Sequence, residues 1–150
     1  MSQRRHIGAL VAAAAVTLVW FSSVGEARPP RKLGVCQAIA GAAQFNGSYV
    51  SIRGRVKSNG IEYTDLTNPS CPKAIALWPS KAAYQDPGYK AVHAVIGCPL
   101  VGTRGKSIDG VFTGRFQWKP GKIPEWRFRF DRVSNLHIEV ESCGLSAPSK

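Results

Sequence analysis

Between Ser107 and Trp118 the apolar residues, Val111 apart, fall on every second position. Ile108, Gly110, Phe112, Gly114, Phe116 and Trp118 share one parity, and Asp109, Thr113, Arg115 and Gln117 share the other. A period of two describes a strand with one face in a core and the other in water. Glu125 to Asp131 repeats the pattern, with Trp126, Phe128 and Phe130 on one face, and the loop 119–124 separates the two runs. Facing Trp118 with Trp126 sets a register in which Phe116 meets Phe128. Gly114 then meets Phe130, so that an aromatic ring covers a glycine. On the outer face the same register opposes Arg115 to Arg129 and Gln117 to Arg127. Glycines recurring on the apolar parity (Gly54, Gly110, Gly114) let a sheet bend sharply, as a small closed barrel requires.

The rest of the chain reads as short elements around this hairpin. Val35 to Gln44 predicts a helix with Cys36, Ile39, Ala40 and Ala43 on one face. Asn46-Gly47 ends it as a turn. Ser48 to Lys57 alternates, with Val50, Ile52, Gly54 and Val56 inward and Ser51, Arg53, Arg55 and Lys57 outward. Ser58-Asn59-Gly60 is a hairpin turn signal. Ile61 to Leu66 predicts the next strand, and Ala74 to Trp78 a more continuously apolar one. Asp86-Pro87 predicts a helix start, a capping acid followed by proline at the first helical position. Tyr89, Val92 and Ile96 are its stripe, and Gly97 its end. Residues 99–106 read as loop. After Val133-Ser134-Asn135 the alternation resumes at Leu136, Ile138 and Val140.

The N-terminus carries Arg4 and Arg5, then an apolar run from Ile7 to Phe21, then small residues ending at Ala27. That order is a Sec-type signal peptide, with the expected cut after Ala27. The apolar run is shorter than the roughly 20 residues a spanning helix needs. A periplasmic or secreted location follows. Residues 28–34 are Pro- and charge-rich and read as a flexible basic arm. The domain then runs over 35–145, with a tail at 146–150. This is enough chain for one core. The formal net charge is +11, from 20 Lys and Arg against nine Asp and Glu. Cleavage would remove two of those cations and one acid and barely change the balance. Such a surplus favours polyanionic partners. Cys36, Cys71, Cys98 and Cys143 form an even set in an exported chain, which predicts two disulfides; four cysteines allow three pairings. No C-x-x-C spacing suggests a redox motif or a zinc site.

The stretch from Asn46-Gly47 through Val56, the cysteine after the second strand, and Ile108-Asp109-Gly110-Val111-Phe112 carry a resemblance. They are similar to "G-x-x-V-x-V-x-G-x-V" and "V-x-G-x-F" in a group of exported bacterial OB-fold-like domains. The resemblance implies a mainly β, α+β fold: a small OB-like five-stranded barrel with one N-terminal helix and one helix between the third and fourth strands. It also implies the pairing Cys36–Cys71, which leaves Cys98–Cys143. Where that group has a Gly-His segment before the last strand, this chain has Trp126-Arg127-Phe128-Arg129-Phe130.

The candidate site is the basic sheet face: Arg53, Arg55 and Lys57 on the first strand, with Arg115, Arg127 and Arg129 on the hairpin. Like charges directly opposite are destabilising, so a bound anion or a nearby acid would relieve them. Asp131, one diagonal step from Arg115, is the candidate acid. The expected ligand is an anionic envelope polymer, a lipid head group or an acidic protein. The bland alternative is a solubilising surface on an interaction domain. Nucleic acid is the third reading. It would need aromatic platforms among the cations; the aromatics sit at the opposite parity and read as core, and Tyr49 and Tyr63 are the only candidates near the first hairpin. No cofactor or metal is expected. His137, Glu139 and Glu141 share a strand face, but the first and third would lie about 13 Å apart. No nucleophile elbow, phosphate loop or paired-carboxylate motif points to an enzyme.

Overall fold

The structure is a computed structural model, and it describes residues 29–60, 63–97, 103 and 106–140. The expected signal segment (1–27), Cys98, Cys143 and the expected tail (146–150) lie outside the described residues. The chain is mainly β. Six strands run in the order β1 (Arg31–Gly34), β2 (Tyr49–Ser58), β3 (Thr64–Asn68), β4 (Cys71–Pro79), β5 (Lys106–Trp118) and β6 (Trp126–Val140). Helices α1 (Val35–Ala40) and α2 (Ala42–Phe45) precede β2, and α3 (Pro87–Ile96) joins β4 to β5. β2 pairs with both β3 and β5, β3 with β4, β4 with β6, and β6 with β5. Each of these five strands therefore has a neighbour on both sides. The β4–β6 pairing is parallel, and the other four are antiparallel.

The hairpin register holds from Trp118↔Trp126 to Gly114↔Phe130, including Arg115↔Arg129 and Gln117↔Arg127. Beyond Gly114 the register shifts, since Thr113 pairs with Arg132 and leaves Asp131 unopposed. A Cβ on Gly114 would run into the Arg129 carbonyl oxygen and the Phe130 Cα. Glycine is thus required for the two backbones to approach this closely. Gly54 and Gly110 face each other across the β2–β5 seam. Inside lie the fully buried side chains of Ile52, Leu66, Ile75, Ile108, Phe112, Phe116 and Phe128.

Arg31–Gly34 corrects the flexible-arm expectation for 28–34. These residues form β1, paired in parallel with Val50–Arg53 of β2. Leu33 enters the core, and β2 offers backbone partners on an edge that β3 reaches only from Arg55 onward. The five-stranded expectation thus becomes six strands. The N-terminal helix is broken at Gly41, and its buried face is Val35, Ala38, Ala42 and Phe45. Ala40 and Ala43, expected inward, are exposed. Phe45, the one large aromatic in the segment, sets which face turns in. The two β segments expected after Trp126 are one strand, β6, kept continuous by bulges.

α3 matches its signals. The Asp86 side chain accepts from the Tyr89 N–H at 2.9 Å and from the Val133 N–H at 3.0 Å, so one carboxylate caps the helix and fastens it to β6. Tyr89 meets Phe130 edge-on at 5.3 Å, and Val92 is buried.

Gly114→Ala is expected to destabilise the fold by about 1–3 kcal/mol through overpacking. Gly34→Ala, where a Cβ would meet only the Gln37 Oε1 at 3.7 Å, should cost less than about 0.5 kcal/mol. Denaturant midpoints of the two variants would check the contrast.

Candidate functional site

The six cations expected to share one face separate into three settings. All three on β2 are exposed, as their parity requires. Arg55 lies opposite Asp109, and its Nη2 is 3.0 Å from the Asp109 Oδ2. Its Nε donates to both carboxylate oxygens at 3.2 and 3.3 Å, and the Ser107 hydroxyl adds a hydrogen bond at 3.1 Å. The Arg55 hydrogen bonds hold the Asp109 carboxyl below its ordinary value, and Asp109 in turn raises Arg55. Lys57 pairs across β2–β3 with Asp65. Burial raises the Asp65 carboxyl, and Lys57 opposes that rise. Two of the six cations thus already face acids. Asp109 and Asp65 carried no role in the sequence reading, because which acid meets which base depends on strand neighbours. Arg53 lies opposite Val111 and Gly34 instead.

Arg115, Arg127 and Arg129 come together. Strand pairing lines up Tyr49, Arg115, Arg129 and Trp78 as successive neighbours across β2, β5, β6 and β4. The Arg115 Nη1 donates to the Gly47 carbonyl at 2.7 Å, which fixes its reach. The Arg127 guanidinium lies 4.9 Å from the Trp78 ring centre, a cation–π contact. Its Nε donates to the Pro124 carbonyl at 3.3 Å. The bulge leaves Asp131 unopposed, and Asp131 engages Tyr49, the cross-strand neighbour of Arg115. The Tyr49 hydroxyl is raised first by desolvation and then by Asp131. The expected acid therefore engages a phenol, and Arg115 faces Arg129 directly.

Trp78 is the residue the sequence reading missed. It is 49% exposed, although Ala74–Trp78 read as continuously apolar. Its signal is the alternation of small and large residues: Ala74 and Ala76 share the Trp78 parity, and Ile75 and Leu77 turn inward. Beside Trp78 a cleft of about 490 Å³ opens toward Tyr63, Asp65, His93 and Pro124. This corrects the premise that only Tyr49 and Tyr63 offer aromatic rings among the cations.

Cys36 and Cys71 are neighbouring thiols, near but not at disulfide distance, tying α1 to the start of β4. The Cys71 sulfur, and then desolvation, push the Cys36 thiol up. His137 and Glu139 pair with each other at 3.0 Å on an exposed strand face, and Glu141 lies outside the described residues. Among the described residues no cluster of three His, Cys, Asp or Glu could hold a metal ion, and no helix is long and apolar enough to cross a membrane. No protein-family model, curated protein or solved structure matches the chain.

The Arg55–Asp109 pair has a defined pH signature. The folded carboxyl is lowered, so its stabilisation is complete above the ordinary value of about 3.9 and is lost as pH falls through the lowered one. The melting-temperature difference between the wild-type protein and Asp109→Asn should therefore be steady from about pH 7 to pH 5 and shrink below about pH 4. An undiminished difference in strong acid would contradict the pairing.

Proposed function

We propose that this chain is an exported, non-enzymatic binding module with an OB-type barrel, which holds an anionic envelope polymer on its β5–β6–β4 face. The ring of five strand pairings, the parallel β4–β6 contact and the helix between β4 and β5 support the barrel. OB barrels bind oligomeric ligands on the face of their second and third strands, and β4, the third strand of this ring, carries Trp78. The observation that carries the reading is the row Tyr49–Arg115–Arg129–Trp78. Four residues on adjacent strands span roughly 14 Å. That length suits several repeats of an extended polyanion better than a single small ion. Two opposed guanidiniums repel until a ligand charge lies between them. The flanking Trp78 and Tyr49 rings add stacking surfaces, and Arg127 is already seated on one of them. The Sec-type leader and the cysteine count support an oxidising compartment, where Cys36 and Cys71 would join.

Heparin serves as the test polyanion. The wild-type protein should be retained in a salt-sensitive way. Replacing Arg115 and Arg129 together by Gln should weaken binding at least tenfold and flatten the salt dependence by about 2 in slope, one for each lost contact. Unchanged retention with a raised melting temperature would show a merely solubilising surface. Tighter binding of single-stranded oligonucleotide than of heparin would favour the nucleic-acid reading.

Peptide mapping of the unreduced, exported protein should yield Cys36 linked to Cys71 and Cys98 linked to Cys143. A Cys71–Cys98 peptide, or free thiols, would overturn that pairing.

A further inference from the structure

β1 walls a hollow beside the arginine row, on the same outer face of β2 and β5, where Ser51 and Thr113 are the next pair along from Tyr49 and Arg115. Because Leu33 turns into the core, Lys32 and Gly34 turn outward, beside Ser51 and Arg53 respectively. Gly34 has no side chain, so the sheet surface next to Arg53 is left open. On the other side of β2, Thr113 stands opposite Ser51 and Val111 opposite Arg53. Asn68 at the end of β3 and Ser134-Asn135 on β6 complete the walls. Together they enclose a pocket of about 590 Å³.

Its chemistry is one-sided. Lys32 and Arg53 bring two positive charges, and among the described residues no carboxylate lines the pocket. The remaining polar groups are hydroxyls and amides. Ser51 is only 5% exposed although it points away from the core, which marks a walled hollow rather than a flat sheet face. The Ser51 and Thr113 hydroxyls share one hydrogen bond of 2.8 Å. That bond uses one of their two hydroxyl hydrogens, and the other is free to donate to a ligand. Asn135, at the rim, takes a left-handed backbone with φ of 49°. This conformation is uncommon for a residue with a side chain, and such residues cluster at ligand sites.

We infer that this pocket binds a phosphate monoester carried on a hydroxylated skeleton. Two cations without an acid match a dianion, and guanidinium pairs readily with phosphate oxygens. The volume lies in the range of small-molecule pockets and exceeds what a bare phosphate would fill. The amides of Asn68 and Asn135 and the two hydroxyls suit the hydroxyl groups of a polyol. Free polyol phosphates and lipids ending in a phosphate monoester share this chemistry.

Titration of the purified protein with glycerol phosphate, glycerate and inorganic phosphate, followed by calorimetry, tests the inference. Glycerol phosphate should bind at least tenfold more tightly than glycerate, which carries one charge fewer, and more tightly than inorganic phosphate. Lys32→Gln and Arg53→Gln should each weaken it about tenfold or more, with melting temperatures held. The pair Arg115→Gln and Arg129→Gln should leave it unchanged, so failure here and failure of the polyanion reading are separable. Flotation with phosphatidic acid vesicles against phosphatidylcholine vesicles distinguishes the sources. Arg53-dependent flotation indicates the lipid, and glycerol phosphate binding without flotation indicates the free ester. Equal affinity for glycerate, equal affinity for inorganic phosphate, or binding that survives both Lys32→Gln and Arg53→Gln would overturn the inference.

Discussion

The backbone of β5 approaches β6 at Gly114 more closely than any side-chain-bearing residue would permit. The Arg129 carbonyl and the Phe130 Cα fill the space that a β-carbon would have taken, and the Phe130 ring packs in turn on Phe112 and on Tyr89 of α3. Gly114 itself pairs with Val50 of β2 on its other side. One glycine thus sets how tightly three strands meet and where the helix rests. It also sets the site. Arg115 and Arg129 oppose each other because they are the next pair along from Gly114 and Phe130. The register shift begins directly after that glycine, and it leaves Asp131 without a partner residue on β5. Packing inside and repulsion outside are two faces of one backbone geometry.

Period-two patterning made the hairpin legible to the individual pair, because Trp118, Phe116 and Gly114 each demand a complementary partner. Local chemistry also made α3 legible, since Asp86 and Pro87 dictate its start without help from elsewhere. What could not be read was set by distant contacts. β1 has a single apolar residue, Leu33, and becomes a strand only because β2 presents a free edge at Val50–Arg53. The N-terminal helix turned a different face inward because Phe45 outweighs Cys36, Ile39 and the alanines in buried area. Trp78 looked like core because tryptophan at the end of an apolar run usually is. Its exposure follows from the parity fixed by Ile75 and Leu77.

The candidate site shows the same division. Arg53, Arg55 and Lys57 are two residues apart along one strand, which suggests one basic strip. Each nonetheless meets a different neighbour: Val111 and Gly34, Asp109, or Asp65. Along-strand spacing reveals which face a residue occupies. It does not reveal what stands across the ladder, and an anion senses both directions equally.

Charge placement then bears on whether the basic surplus only keeps the chain soluble. With 20 cations against nine acids, most cations must lack a partner, so their number alone carries no message. Their placement carries more. Asp109 and Asp65 stand opposite two cations of β2, whereas Asp131 lies out of register with the arginine pair. A surface selected only for solubility gains nothing from setting Arg115 opposite Arg129 in the ladder, since like charges directly opposite are destabilising. Nor does it gain from fixing one of them through the Gly47 carbonyl. Holding a cation still lowers the entropy lost when an anion binds. Repulsion retained together with orientation therefore supports the proposed recognition at the row, while Arg55, on the neighbouring strand, is met by the Asp109 carboxylate.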